Sequence, residues 1–296
     1  MNQSAKNMLL PSPLDELHEA VTHYLREAGR AQRSRDVAPV LKKLETKMRS
    51  AFRAQGKDFR KRFKALKDSW PVLSEASEPG GPDWEPLFDV SAQGTIQLFR
   101  VPIDEAVEAA LVAGGAQALG SLKAGISFDL ANPRAIRYLQ DHGAEMVTKI
   151  NETTRSRIQT IITRAAKEGW SYDKTARAIS NRYAEFAVGQ PQLHIESRAH
   201  LVAVTETGNA YCEGNLEAGR QMADAGLEME KYWITAGDDR VDDTCAANEA
   251  QGWIPIDETF DSGNDRPLAH PACRCDLEIR VVTESRTIQP TGGQAA

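Results

Sequence analysis

The sequence predicts a mainly α-helical protein whose long helices lead into a small α+β unit at the C-terminus, and that unit holds a Cys/His cluster. Three observations predict this. Apolar residues recur at helical spacing over most of the chain as far as Ala225. Capping residues, prolines and glycines punctuate those stripes where helices should begin and stop. Past Gly226 the texture changes to short alternating runs separated by turn residues.

The first ten or so of the 296 residues read as frayed. A helix then opens with Ser12 as cap and Pro13 in its first turn, and Leu14, Leu17, Val21 and Leu25 form its apolar stripe. Val40, Leu41, Leu44, Met48 and Phe52 repeat the pattern; Gly56 interrupts it, and Phe59, Phe63, Leu66 and Trp70 carry it on. Basic residues fill the positions between, so residues 1–73 read as a basic helical N-terminal arm. "SEASEPGGPDWEP", residues 74–86, is rich in Pro, Gly and acids and predicts a linker.

Residues 87–226 read as a helical domain. Within it "TIQLFRV" is expected as a short strand. Ala106 to Leu122 is too short to span a membrane and includes Glu108 and Gln117, so it predicts a helix packed closely through its small residues. Asn132 and Pro133 predict a helix start, and Gly169 its stop. Ser171 caps the next helix, and a long one runs from about His194 to Ala225.

Residues 227–282 form the small α+β unit. "LEMEKYWITA" predicts a strand, "GDDRVDD" a turn, "TCAANEAQG" a short helix stopped by Gly252, and "WIPI" a second strand. In the last strand, alternation puts Cys273, Cys275, Leu277, Ile279 and Val281 on one face. Residues 283–296 are expected to be a disordered tail.

Hydrophobic content of 41% and charged content of 26% are ordinary for a globular chain. No N-terminal stretch has the parts of a signal peptide, so a reducing compartment is expected, where clustered Cys and His favour metal over disulfide. The net charge of −6 hides an asymmetry. Between Arg26 and Lys67 stand 15 Lys and Arg against four acids, a net +11 that leaves −17 for the remainder. An anionic partner for that arm, nucleic acid or an acidic protein surface, is one reading; a solvated helix face is the other. The contact candidates are Arg49, Arg53, Lys57, Arg60, Lys61, Arg62, Lys64 and Lys67.

Cys273 and Cys275 stand parallel on one face of a strand, a poor geometry for a mutual disulfide and a workable one for two ligands of one ion. With His270 just before the strand and Cys245 on the short helix they make a Cys3His set, a normal structural zinc site, with Asp242 as alternative ligand. Two other readings stay open: small buried hydrophobes that continue the Leu277 face, and a redox role. Asp238, Asp239, Asp242 and Asp243 with His270 allow a hydrolytic metal site, although such residues also serve as turn locks and caps. Asp243 is expected to cap the short helix, Asp239 with Arg240 to lock the turn, and Cys212 to be structural.

Several segments in order carry a resemblance. They are "FDLANPRAIRYLQDHGAEMVTKINETTRSRIQTII", "GWSYDKTARAI" with "RAHLVAVTETGNAYCEGNLEAG", "YWITAGDDRVDDTCAANEAQGW" and "RPLAHPACRC". Together they resemble the phage head morphogenesis proteins, the Mu F-like minor capsid family, over roughly Trp84 to Val282. The residues that carry it most are Thr205, Glu206, Trp233, Asp239, Arg240, Cys245, Gly252, His270, Pro271, Cys273 and Cys275. Many members have a second Cys three positions before the one matching Cys245; here Asp242 stands there. The resemblance implies a non-enzymatic minor component of a tailed-phage or prophage head. It implies action at the portal vertex in head assembly and in DNA packaging or delivery. Implied partners are the portal protein, the major capsid or scaffolding protein, and DNA through the basic arm, with no membrane partner. The implied location is the virion head, with the host cytoplasm during assembly. The competing reading is a metal-dependent hydrolase or nuclease built on the Asp/His cluster.

Overall fold

The computed structural model describes residues 13–65, 85–188 and 197–282. The linker residues 74–84, the tail 283–296, Leu66, Lys67, Trp70 and the expected start at His194 lie outside the described residues. The chain is mainly helical with one small antiparallel sheet, in the order α1 (Pro13–Ala65), α2 (Glu85–Ser121), α3 (Pro133–Lys167), α4 (Tyr172–Val188), α5 (Arg198–Asp224), β1 (Met229–Ile234), α6 (Asp243–Ala250), β2 (Ile254–Pro255), β3 (Asp276–Val281). It divides into two compact units. One draws on residues up to Ala106 and on 151–207, the other on 107–150 and on residues from Gly208 onward.

In the first unit α1 is one continuous helix of 53 residues, with Pro39 inside it. Gly56 does not interrupt it. A β-carbon there would lie 2.5 Å from the Tyr183 Cβ, so the glycine exists to let α4 approach. The apolar stripe of α1 buries Phe52, Phe59 and Phe63 against rings of α2 and α4. Phe52 meets Phe99 edge-on at 5.1 Å, and Phe63 lies 5.4 Å from Tyr172. The expected strand "TIQLFRV" is helical within α2. Its inward residues Thr95, Phe99 and Ile103 fall four apart, the helical repeat, while Ile96 and Leu98 face outward. Glu85 and Pro86, expected to end the linker, already belong to α2.

The expected punctuation holds. The Asn132 side chain accepts the Arg134 N–H at 2.9 Å at the start of α3. The Ser171 hydroxyl accepts the Lys174 N–H at 3.2 Å at the start of α4. Gly169, Gly226 and Gly252 take left-handed φ of 64°, 92° and 79°. The long α5 starts at Arg198, where Ser197 accepts the His200 N–H at 3.0 Å.

In the second unit the small residues of α2 and α5 let the two backbones touch. A β-carbon on Gly114 would collide with the Tyr211 carbonyl, and one on Gly214 with the Leu111 carbonyl. Among the described residues no helix is long and apolar enough to cross a membrane. The sheet order is β2-β1-β3, all antiparallel, with Trp233 opposite Leu277 and Lys231 opposite Ile279 and Ile254. Met229, Lys231 and Trp233 point into the core that Cys245, Phe260, Cys273, Cys275, Leu277 and Ile279 share.

Candidate metal centre

Three segments converge at one end of this sheet. The first is α6. Its N-cap is Asp242, whose carboxylate accepts the Thr244 N–H at 2.9 Å. Asp243, the expected cap, sits in the first helical turn instead. The reason is phase: capping from 242 turns Cys245 and Asn248 inward, three residues apart on the buried face. The second is the turn from His270 to Cys273, closed by the Cys273 N–H donating to the His270 carbonyl at 3.1 Å. Pro271 fixes the first corner and Ala272 takes φ 60° at the second, the pattern of a type II turn. The third is the run into β3, where Cys273 and Cys275 continue the inward alternation of Leu277 and Ile279.

The Sγ of Cys245 lies 3.6 Å from the Sγ of Cys273 and 3.7 Å from the Nε2 of His270. Tetrahedral zinc with bonds of about 2.3 Å to sulfur and about 2.0 Å to nitrogen separates its ligand atoms by roughly 3.5–3.8 Å. The three ligand atoms all lie within 4.8 Å of one another. The His270 Nδ1–H donates to the Pro271 carbonyl at 3.1 Å, which leaves the Nε2 lone pair facing the thiols, the tautomer a metal ligand needs. An apolar core contact alone gives no reason for an imidazole nitrogen to aim at a buried thiol. The donor set therefore fits a thiolate-preferring ion such as zinc.

Cys275 belongs to the same group of sulfurs. Its thiol donates to Cys273 and holds the Cys273 thiol down at about 5, while the buried Cys275 is pushed up in turn. Burial pushes Cys245 up to about 12, with Cys273 adding to it. All four cysteines of the chain are free and buried, and His270 is exposed. Cys212 stands apart on α5 with its thiol 3.6 Å from the Asp276 carboxylate.

The aspartates do not join this group. Asp238 accepts two hydrogen bonds of 2.6 Å from Arg274 and one of 3.1 Å from the Arg240 backbone N–H, which holds its carboxyl well below the usual range. Asp238, not Asp239, therefore locks the turn, and Arg240 donates to it at 3.3 Å. Asp239 is exposed. Asp242 is committed to its cap, so the alternative ligand is engaged elsewhere.

The remaining motif residues serve the frame. Trp233 is fully buried against Phe260 at 5.2 Å. Gly252 ends α6 and Pro271 shapes the ligand turn. Thr205 and Glu206 lie buried on α5 in the first unit. Of the basic candidates, Arg49 pairs with Glu45, Arg62 with Asp58 at 2.8 Å and Lys64 with Asp173 at 2.6 Å. Arg53, Lys57, Arg60 and Lys61 are exposed. Sequence reasoning missed the Asp238–Arg274 clamp and the fully buried Lys231. The second was readable, since alternation in "MEKYWI" places Lys231 between the inward Met229 and Trp233.

No curated protein and no solved structure matches the chain. The model of the phage Mu protein F like family matches residues 156–278, a span that contains α4, α5, the sheet as far as β3 and all of the candidate ligands. Over that span, under half of its length, the chain is similar to the phage Mu protein F like family.

Proposed function

We propose that the chain is a minor head protein of a tailed phage or prophage, acting at the portal vertex in head assembly and in packaging or delivery of DNA. The observation that carries this reading is the family match across residues 156–278. Long helices and a small three-stranded sheet suit a component that docks against other helices. The portal protein is the first partner to test, and the major capsid or scaffolding protein the second. In this reading the virion head is where the protein acts, with assembly in the host cytoplasm.

Cys245, His270 and Cys273, whose ligand atoms the fold gathers, would hold a structural zinc ion, and Cys275 would be the fourth ligand. The ion would tie α6, the ligand turn and β3 together, a link that a three-stranded sheet gains much from. The hydrolase reading loses two of its carboxylates, because Asp238 is held by Arg274 and Asp242 by its helix cap, while Asp239 stays exposed. Co-expression with the portal protein of the same phage tests the role. Recovery of a portal complex is expected, and portal assemblies that never retain the chain would contradict it.

A further inference from the structure

We propose that the turn between α3 and α4 joins the last turns of α1 in one rigid basic platform that binds the phosphate backbone of duplex DNA. The inference rests on the head-protein reading only for the availability of DNA; the surface itself is argued from its chemistry. Arg53, Lys57, Arg60, Lys61 and Lys64 occupy positions i, i+4, i+7, i+8 and i+11 of α1 and so share one face, and all are exposed. This stripe does not end with α1. Lys64 pairs with Asp173 at 2.6 Å, and Phe63 packs on Tyr172 at 5.4 Å, which fixes the end of α1 against the first turn of α4.

At that junction stands Trp170. The Lys174 ammonium lies 4.0 Å from its ring centroid and the Arg164 guanidinium 5.3 Å, while its indole N–H donates to Glu168 at 2.8 Å. The ring therefore holds two cations in place instead of leaving them to move freely. Glu168 and Asp173, the acids between these cations, are both ion-paired. Beside them an open groove of about 510 Å3 is lined by Ser156, Gln159, Thr160, Thr163, Arg164, Lys167 and Glu168, the last ion-paired with Arg164. Hydroxyl, amide and guanidinium donors along one groove are what phosphate oxygens take from proteins. A protein partner would call for an apolar centre instead. Among the described residues, no exposed large hydrophobic side chain lies on α1, on α4 or among the groove-lining residues 156–168.

The test uses the full chain and a fluorescent duplex of about 30 random base pairs, titrated at several salt concentrations. Each phosphate contact contributes about 0.9 to the slope of log affinity against log salt. The variant R164A/K167A/K174A, shown by circular dichroism to be folded, should lower that slope by about 2–3. The variant K57A/R60A/K61A should lower it by a similar amount. An unchanged slope in the first variant would overturn the proposal, as would a wild-type chain that binds no duplex at low salt. Polyglutamate displacing the duplex at equal charge concentration would overturn it in favour of an acidic protein surface. Particle composition is a separate readout, so the head-protein reading stands or falls independently of this experiment.

Discussion

The sulfur atoms of Cys245 on α6 and Cys273 in the turn before β3 lie 3.6 Å apart although the two residues are 28 positions apart in the chain. That separation is close to the edge a tetrahedral zinc site would need, about 3.8 Å between two thiolates. The chain purified in the presence of zinc should carry one ion, measured by elemental analysis. Cys273→Ser and Cys245→Ser should each abolish it, and His270→Ala should weaken retention against a chelator. Asp242→Ala should leave the stoichiometry unchanged, since that carboxylate caps α6. Metal loss in the Asp242 variant would show that the cap is also a ligand.

The ligand turn carries strain at one residue. Ala272 sits at φ 60°, a conformation that costs a residue with a β-carbon about 1 kcal/mol more than glycine. Ala272→Gly should raise thermal stability by up to about that amount, partly offset by the greater freedom of glycine in the unfolded chain. Zinc stoichiometry should not change. A loss of stability in calorimetry would mean that the turn is not left-handed there.

Lys231 is fully buried on β1, its ammonium 5.7 Å from the centre of the Phe260 ring and without a hydrogen-bond partner among the described residues. Burial brings its pKa from 10.5 down to about 8 against the pull of Asp265, Asp257 and Glu213. Keeping it charged therefore costs the folded state about 3 kcal/mol at neutral pH. Lys231→Met should be stabilising by about 1–3 kcal/mol in urea denaturation at pH 7. The sign of the pH effect follows. Between about pH 8 and 10.5 the unfolded lysine holds its proton and the folded one has lost it, so wild-type stability rises with pH and the gap to the variant closes. A gap that stays constant through that window would assign the gain to packing instead.

Gly214 and Gly114 are the contact points of α5 and α2 in the second unit. A methyl group on either would enter the carbonyl of the facing helix, and backbone yields less readily than a side chain. Gly214→Ala should cost about 3 kcal/mol or more and broaden the thermal transition. Gly120→Ala, where a β-carbon meets nothing within 4 Å, should be neutral or slightly stabilising. Equal effects of the two substitutions would contradict the close approach.

Much of this was legible in the chain because helix ends carry chemical punctuation. Asn132, Ser171, Gly169 and Gly226 mark boundaries that backbone geometry demands. The failures have physical reasons too. "TIQLFRV" has β-branched and aromatic residues enough for a strand, and only the buried set at Thr95, Phe99 and Ile103 shows the four-residue repeat. Gly56 looked like a break because local sequence cannot show that Tyr183 of a distant helix needs the space. At the site, the Cys/His cluster was legible from residue type and spacing, and the structure brings Cys245, His270 and Cys273 together. The aspartates were each one position off, Asp242 for Asp243 and Asp238 for Asp239, because adjacent carboxylates offer the same chemistry. Only the position of Arg274 and the phase of α6 separate them.

The central claim is that this chain is a head protein, and quantitative mass spectrometry of purified particles from the phage or induced prophage that encodes it tests that most directly. The account predicts the chain in DNA-filled heads at a low ratio to the major capsid protein. Its absence from both mature heads and assembly intermediates would contradict the account.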